Sequence, residues 1–380
     1  MKIIHFISGG DTGGAKTHVL TLLNNLRKLD IEVELLCIMR GIFTEEAEQL
    51  GIKVTVIPQE KRWDVSVIKK IKDYINKSGA DLVHCHGARA NYIAFFIMKD
   101  INIPMLTTLH SDYRLDFKDN LRKRLIYTPI NGIALRRFKH ILAVTKAFKN
   151  MLCKRGFKEN RIDVVYNGIE FEEKLDFYTK EEFYNKIGVA YDQRKIYVGI
   201  AARLYEVKGV DVFLKAAKLA YEKNKDLRFV VLGDGDMRKT CEDYIKENGL
   251  SSVVKMAGQV QDPVLMNSYY KYIDINMLTS HSESFPYALL EGARCSAATI
   301  ATRVGGIPEM IYSGHDGFLA EDNDCKQLSE YILALAEDEE KRKEIGANFN
   351  QKAEKLFSAL AMAKTHKEIY TKIIQGEKQK

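Results

Sequence analysis

Two glutamates eight positions apart, Glu283 and Glu291, are the most informative pair of functional side chains in the sequence. Ser282 or Ser284 is placed to cap a helix whose first turn holds Pro286, so one glutamate precedes the helix and the other lies within it. Eight residues at helical rise span about 12 Å, which excludes a close carboxylate pair. The spacing suits an elongated ligand, with one carboxylate accepting from sugar hydroxyls, the other from a ribose diol, and helix N–H groups facing phosphate between them.

Two cations, Arg203 and Lys208, follow a strand-like run at residues 196–201. In parallel α/β sheets, ligands bind at the carboxyl ends of the strands, which is where these side chains are expected. A bidentate guanidinium beside a compact ammonium suits a diphosphate. An ordinary pair of exposed surface cations is the alternative that this spacing alone leaves open.

The first strand-like run ends in the glycine-rich segment GGDTGG, residues 9–14, which enters a helical pattern. Backbone N–H groups and the helix dipole can approach an anionic group there. The order is not GxGxxG, and the next strand ends at residues 37–39 without an acidic residue for a ribose, which argues against a nicotinamide dehydrogenase. Glycines that serve only the turn are the alternative.

The elements that must position these groups form two series in which short β-branched runs alternate with helical patterns. The first series covers residues 3–166 and the second residues 196–302. Such alternation predicts a doubly wound parallel sheet in each half. The chain has 380 residues, of which 46% are hydrophobic and 29% charged. This length suits two domains, and this composition excludes disordered, collagen-like and coiled-coil classes.

The order of the motifs along the chain resembles glycosyltransferase family 4. The motifs are Gly13-Gly14 with His18, VYNGI at 165–169, Arg203 with Lys208-Gly209, ESFP at 283–286 followed by Glu291, and VGGIPE at 304–309. The resemblance implies the α/β GT-B fold, in which two Rossmann-like doubly wound domains face each other across a cleft. We expect an acceptor-binding domain at 1–188, a nucleotide-sugar-binding domain at 189–357, and a C-terminal helix at about 358–380 that packs back on the first.

The same resemblance implies the activity. We expect a retaining, metal-independent transferase that moves a hexose or N-acetylhexosamine from a nucleotide sugar to a glycan or lipid-linked acceptor, in cell-surface polysaccharide or glycoconjugate synthesis. A UDP-sugar is favoured because such donors are common in the family, and no cofactor is expected. A GT-B nucleotide-sugar epimerase and a non-catalytic GT-B partner subunit are the alternatives, although the donor motifs are intact.

The resemblance also assigns roles to individual residues. Arg203 and Lys208 would hold the donor diphosphate, Glu291 the ribose and Glu283 the transferred sugar. Gly14 would approach the reacting groups, and His110, after the strand-like run 105–109, would lie near the sugar. The predicted catalytic residues are His110, Arg203, Lys208 and Glu283, and the predicted donor-binding residues are Gly13, Gly14, Arg203, Lys208, Glu283, Ser284, Phe285, Pro286 and Glu291.

Two further motifs could suggest a metal. In His84-Cys85-His86, strand alternation points the thiol away from both imidazoles, so we interpret these residues as packing residues. Asp234-Gly235-Asp236 is similar to the DxD motif of metal-dependent glycosyltransferases, but it lies in a Leu-Gly-Asp-Gly turn that is common in family 4. The sequence therefore predicts no metal site.

The surplus of positive charge is concentrated in one stretch. The chain has 58 Lys and Arg against 51 Asp and Glu, and residues 114–161 hold 14 of the cations with only three acidic residues. Apolar side chains between these cations are typical of helices at an anionic membrane surface, and equally of solvated helices. Our hypothesis is peripheral contact with anionic lipid or with a lipid-diphosphate acceptor, whereas nucleic acid is disfavoured because no aromatic-interleaved basic platform occurs.

The cysteines and the N-terminus indicate the compartment. The six cysteines are dispersed without a CxxC pair, which suits free thiols in a reducing environment. The first ten residues resemble a strand rather than a signal peptide, and no apolar run reaches the length of a membrane span. We therefore expect a cytoplasmic protein, at the inner face of the membrane if the basic stretch binds lipid.

Overall fold

A computed structural model describes residues 1–10, 13–59, 64–114 and 121–378. Its contacts divide the chain into two compact units, residues 1–170 with 358–380, and residues 171–357. Residues 171–188 therefore belong to the second unit, whereas we expected them in the first. The reason is a short helix at 180–186, whose Phe183 and Tyr184 are buried against Tyr197 and Tyr269 of the second unit.

The first unit is a seven-stranded parallel sheet in the order β3-β2-β1-β4-β5-β6-β7. Its strands are β1 (Lys2–Ile7), β2 (Glu32–Cys37), β3 (Lys53–Val56), β4 (Leu82–His86), β5 (Met105–Leu109), β6 (His140–Ala143) and β7 (Ile162–Val164). Its helices are α1 (Gly14–Lys28), α2 (Ile42–Gln49), α3 (Ser66–Lys77), α4 (Gly87–Ile97), α5 (Leu121–Arg137), α6 (Lys146–Lys154) and the last helix of the chain. Alternate residues of β1 enter opposite cores, because successive strand side chains point to opposite faces.

The second unit is a six-stranded parallel sheet in the order β10-β9-β8-β11-β12-β13. Its strands are β8 (Ile196–Ala201), β9 (Leu227–Leu232), β10 (Val254–Gly258), β11 (Ile275–Leu278), β12 (Thr299–Thr302) and β13 (Phe318–Ala320). Its helices are α7 (Lys180–Lys186), α8 (Val210–Lys223), α9 (Arg238–Glu247), α10 (Pro263–Tyr272), α11 (Tyr287–Arg294), α12 (Ile307–Met310), α13 (Cys325–Glu337) and α14 (Glu339–Phe357). The predicted doubly wound parallel sheet is thus present in each unit.

The last helix, α15 (Ala359–Lys378), returns to the first unit. The Ala359 N–H donates to the Ile169 carbonyl at 2.7 Å, so the chain re-enters the unit beside the point where it leaves. A Cβ on Gly168 would lie 2.5 Å from the Ser358 carbonyl oxygen, which explains why glycine occupies this crossing. From there α15 places Met362 and Tyr370 in the core against α1.

Strand order reverses once in each sheet, between β1 and β4 in the first unit and between β8 and β11 in the second. Ligands of open α/β sheets bind outside the carboxyl ends of the strands at such reversals. The loops that follow these four strands are therefore the expected places for function, and they contain most of the motifs that the sequence singles out.

Candidate functional site

The loop after β11 is joined to the loop after β8 by an ion pair. The Lys208 ammonium lies 2.5 Å from the Glu283 carboxylate, and their side chains are only 23% and 10% exposed. The Ser280 hydroxyl donates to the same carboxylate oxygen at 2.7 Å. Two predicted site residues are therefore in direct contact, and the carboxylate is held by two neighbours before any ligand arrives.

The glycines of the VGGIPE segment hold the backbone of this loop. Gly305 has φ +53°, and a Cβ there would lie 1.6 Å from the Glu283 carbonyl oxygen. The Gly306 N–H donates to that same oxygen at 3.3 Å. Any side chain at Gly305 would displace the Glu283 loop, so the motif shapes the site through its backbone.

Helix α11 begins later than the sequence predicts. Pro286 is its N-cap residue, and no side chain in the described part of the chain caps the helix, so neither Ser282 nor Ser284 has the expected capping role. Proline has no N–H and is preset for the start of a helix, which fixes the beginning at Tyr287. Pro286 is buried and Ser284 is half-buried.

Phe285 anchors the start of α11 to the interior of the second unit. It is 2% exposed and packs edge-on against Phe357, with ring centroids 5.2 Å apart. Because its ring is buried in this contact, Phe285 positions the loop that carries Glu283. A ligand would therefore meet the loop's polar groups and backbone more readily than the Phe285 ring.

Glu291 projects from α11 next to Tyr270, whose hydroxyl donates to the carboxylate at 3.0 Å. Burial raises the pKa of Glu291 above its ordinary value, and the tyrosine hydrogen bond partly opposes this rise. The carboxylate lines an open cavity of about 470 Å³ together with Arg203, Tyr205 and Gly235. The volume lies within the range typical of small-ligand sites.

Arg203 and Glu291 thus lie on one cavity, and the roles that the resemblance gives them, toward the diphosphate and the ribose, stay predictions. The Arg203 guanidinium is exposed and lies over the Tyr205 ring, 5.3 Å from its centroid. Tyr270 and Gln259 also line the cavity and were missed by the sequence analysis. Neither belongs to a motif. The only sequence signal for them is that Tyr270 lies near the end of α10 and Gln259 directly after β10.

The predicted residues of the first unit lie at the other sheet reversal. Gly13 and Gly14 are exposed at the start of α1, whereas residues 11 and 12 of the same loop lie outside the described residues. His110 follows β5 directly and is half-buried. One of its ring nitrogens lies 3.2 Å from a ring nitrogen of His86 at the end of β4.

Six of the nine histidines of the chain gather around this point. They are His5, His18, His84, His86, His110 and His366, and all but His110 are at most 1% exposed. Burial lowers the pKa of His18 to about 4 and that of His366 to about 3, and it holds the others well below 6.5. The cluster is therefore neutral at pH 7.

The alternation predicted for His84-Cys85-His86 is confirmed. Cys85 is buried in the apolar core on one face of the sheet, whereas both histidines join the cluster on the other. The cluster itself could not be predicted, because its members come from β1, α1, β4, α15 and the residue after β5. No short spacing links such distant positions.

The comparisons with known proteins agree across the whole chain. The family model described as Glycosyltransferase Family 4 matches residues 12–173, and that of Glycosyl transferases group 1 matches residues 182–352. The uncharacterized glycosyltransferase MJ1178 of Methanocaldococcus jannaschii is 30% identical over 342 residues, which cover 88% of each chain. The chain belongs to glycosyltransferase family 4.

This glycosyltransferase is also similar to a second curated protein and to a solved structure. N-acetyl-alpha-D-glucosaminyl L-malate synthase of Bacillus anthracis is 26% identical over 325 residues, 83% of this chain and 81% of that one. The crystal structure of Anabaena HepE in complex with UDP superposes with a TM-score of 0.83 at 21% identity, covering 98% of this chain and all of that one. The predicted GT-B fold of two Rossmann-like domains is confirmed.

The Asp234-Gly235-Asp236 segment of the glycosyltransferase is a turn between β9 and α9. The Asp234 carboxylate accepts from the Gly235 N–H at 2.8 Å and pairs with Arg238 of α9 at 3.3 Å. These contacts are those of a loop that fixes the start of a helix. The segment lines the cavity through Asp234 and Gly235.

The basic stretch at 114–161 is described only in part. Residues 115–120 lie outside the described residues, as do the side chains of residues 121–124, 126 and 127, which include three of its cations. Arg155 pairs with both Asp112 oxygens at 2.6 and 2.7 Å, and the Arg136 guanidinium lies over the Phe157 ring at 4.8 Å. On α5, Leu125 is 68% exposed. Some of the cationic side chains in this stretch therefore make contacts within the unit.

Among the residues that the structure describes, none of the helices combines sufficient length with sufficient apolar character to cross a bilayer.

Proposed function

We propose that this glycosyltransferase transfers a hexose or N-acetylhexosamine from a UDP-sugar to a glycan or lipid-linked acceptor in glycoconjugate synthesis, with retention of anomeric configuration and without a metal cofactor. The observation that carries the proposal is the joint cavity of Arg203 and Glu291, with the Lys208–Glu283 pair on the neighbouring loops. Solved neighbours in complex with UDP and with UDP-glucose support the choice of donor.

The proposed chemistry is cleavage of the bond between the donor sugar and its diphosphate. Negative charge develops on the departing diphosphate while positive charge develops on the sugar. Preorganised cations stabilise such a leaving group, and Arg203 and Lys208 take this role. Glu283 accepts from the sugar hydroxyls and Glu291 from the ribose diol. Retention would follow from front-face substitution, in which the acceptor attacks from the side that the diphosphate leaves.

The Lys208–Glu283 ion pair would change when the donor binds. An ammonium that already neutralises a carboxylate is held in place, but only part of its charge is free for a phosphate. Sugar hydroxyls that donate to Glu283 would take over some of that interaction. Donor binding would then release the ammonium toward the diphosphate as bond cleavage proceeds.

The test is a panel of nucleotide sugars followed by thermal shift and by slow donor hydrolysis. We expect UDP-sugars to raise the melting temperature and to be hydrolysed. Product analysis with donor alone distinguishes transfer from epimerisation, because an epimerase converts the sugar without an acceptor. A donor of another base, or an interconverted sugar, would contradict the proposal.

Arg203→Ala tests the diphosphate role in the same assays. Loss of a hydrogen bond to a charged group predicts donor affinity weaker by about 10- to 100-fold. The matched control is Arg228→Ala, since Arg228 donates to the carbonyls of Lys225 and Leu227 at the start of β9. Donor affinity and turnover that are both unchanged in Arg203→Ala, with a confirmed donor, would remove Arg203 from the site.

A further inference from the structure

The histidine cluster of the first unit holds more ring nitrogens than the proposed transfer uses. The family resemblance assigns a role only to His110, whereas the five other imidazoles are fully buried around it. Buried polar atoms are normally hydrogen-bonded, so each exception needs an explanation. Among the described residues, Nε2 of His5, His18 and His366 has no hydrogen-bond partner.

His18 presents an unprotonated nitrogen to the cluster. Its Nδ1 lies 2.9 Å from the Asn167 side-chain oxygen, and an amide oxygen only accepts. Nδ1 therefore carries the hydrogen, and Nε2 carries the lone pair. Because Nε2 is buried and without a partner in the described part of the chain, this lone pair faces its neighbours unsatisfied.

Two further imidazoles lie beside the His18 ring. The closest ring nitrogens of His86 and His110 are 3.2 Å apart, and the His18 and His110 rings lie with their centroids 4.7 Å apart. One nitrogen from each of the three rings lies within 4.8 Å of the others. Tetrahedral zinc with bonds of about 2.0–2.1 Å separates its ligand nitrogens by roughly 3.4 Å, so small side-chain rotations bring all three into range.

We propose that His18, His86 and His110 form a binding site for a divalent transition-metal ion of the zinc class. Neutral imidazole is a preferred ligand of such ions. The ion would satisfy the lone pair of His18 and bind the two other rings. Three protein ligands leave a fourth position for water or another small ligand.

Contacts behind these rings match those that usually orient metal ligands. The Asn167 oxygen fixes the His18 ring, and a His5 nitrogen lies 3.1 Å from the second nitrogen of His86. Metal-binding histidines generally engage their other nitrogen in this way. These contacts would orient the rings, so that only small rotations are needed when the ion binds.

A second triad, His5, His84 and His86, has similar spacing but is a poorer site. Both nitrogens of His84 already have partners, the Tyr370 hydroxyl at 2.6 Å and the Thr108 hydroxyl at 2.7 Å. Binding an ion there would break one of these buried hydrogen bonds. Both nitrogens of His86 also have histidine partners, so either triad gives up one His86 contact. The triad that contains His18 gives up no further bond of the kind that His84 makes to the two hydroxyls.

The ion would occupy His110, which the family resemblance places near the sugar that the proposed function transfers. Resting on that proposed function, we expect the ion to inhibit transfer rather than to support it. Binding itself does not depend on turnover, so a direct binding measurement separates failure of this inference from failure of the proposed activity.

The experiment uses the full chain without an affinity tag, freed of metal by a chelator. We expect calorimetric titration with Zn²⁺ to show saturable binding of one ion per chain, and Co²⁺ to give the visible absorption of a tetrahedral site. His18→Gln and His110→Gln should each weaken binding by at least about tenfold. His315→Gln, an exposed histidine of the second unit, is the matched control and should bind as the wild type does.

Asn167→Ala keeps all three ligands but removes the partner of His18, and it should weaken binding by about 10- to 100-fold. Unfolding midpoints of all variants show which of them are folded. Absence of saturable Zn²⁺ binding by the wild type would overturn the site. Binding that survives His110→Gln in folded protein but is lost in His84→Gln would also overturn it, in favour of the second triad.

Discussion

The two units share one topology and carry opposite kinds of chemistry at the same place. In the second unit the loops after β8 and β11 hold Lys208, Glu283 and Glu291, which are ionisable groups in pairs or beside an open cavity. In the first unit the ends of β1, β4 and β5 meet a buried set of neutral imidazoles. The fold therefore determines where a site lies, and the loops and facing helices determine what it does.

Solvent explains why the two sites differ. The second unit leaves its cavity open, so charged groups there keep water or each other as partners. The first unit covers its strand ends with α1 and α15, and burial removes charge from the imidazoles. Hydrogen-bond geometry, rather than net charge, then controls what the first unit can bind.

The largest expected effect tests the charged site. Lys208→Ala should lower kcat by about 10²- to 10³-fold, because one preorganised partner of the leaving group is lost. The measurement is turnover at saturating UDP-sugar. Lys215→Ala is the control, since its ammonium pairs with Asp211 at 2.8 Å on α8 and should leave turnover unchanged. Equal turnover of the two variants would remove Lys208 from the chemistry.

The second prediction concerns the backbone behind the charged site. Gly305→Ala should lower the free energy of unfolding by at least about 3 kcal/mol, since positive φ and the contact with the Glu283 carbonyl act together. Gly249→Ala, at φ +67° with nothing within 4 Å of its Cβ, should cost only about 1 kcal/mol. Urea unfolding measures both. Equal costs would show that the loop moves freely away from residue 305.

The smallest effects compare one buried hydroxyl from each unit. Tyr370→Phe leaves a His84 nitrogen unpaired, and Tyr270→Phe leaves the Glu291 carboxylate without its donor. Each should cost about 1–3 kcal/mol in the free energy of unfolding at pH 7. Tyr312→Phe, with a side chain 72% exposed, is the control and should cost nothing measurable.

The pH dependence distinguishes the two tyrosines. The Tyr270 hydroxyl stabilises the ionised form of Glu291, so its removal raises the Glu291 pKa further. The cost of Tyr270→Phe should therefore vanish in acid and grow as the pH rises through that raised pKa. The cost of Tyr370→Phe should stay level between about pH 8 and pH 6, because burial keeps His84 neutral in the folded chain. Parallel profiles would contradict the contrast between the units.

Local patterns in the sequence were sufficient for the fold, and they singled out residues of the second unit that lie around one cavity. The alternation of strands and helices predicted both sheets. The family resemblance assigned Arg203 and Glu291 to the donor, and both line one cavity. Helix α11 was placed slightly wrongly, because two serines offered a cap and the sequence does not show that Pro286 alone ends the loop. The boundary was placed too late because the aromatic packing of Phe183 is a tertiary contact.

The first unit was less predictable because its site is assembled from distant segments. His5 and His86 meet through neighbouring strands, and His366 arrives from the other end of the chain. Each of these histidines alone is best explained as a packing residue. That they form one cluster can be recognised only when the strand order is known.

The crossing at Ile169 and Ser358 also orders events during synthesis. The second unit is an insertion within the first, so the ribosome completes residues 171–357 before it makes α15. Domains generally fold as units while the chain emerges. The second unit can therefore close its core at once, whereas the first must wait with His84 and the apolar face of α1 uncovered until Tyr370 emerges. The unit begun first is the last to be finished.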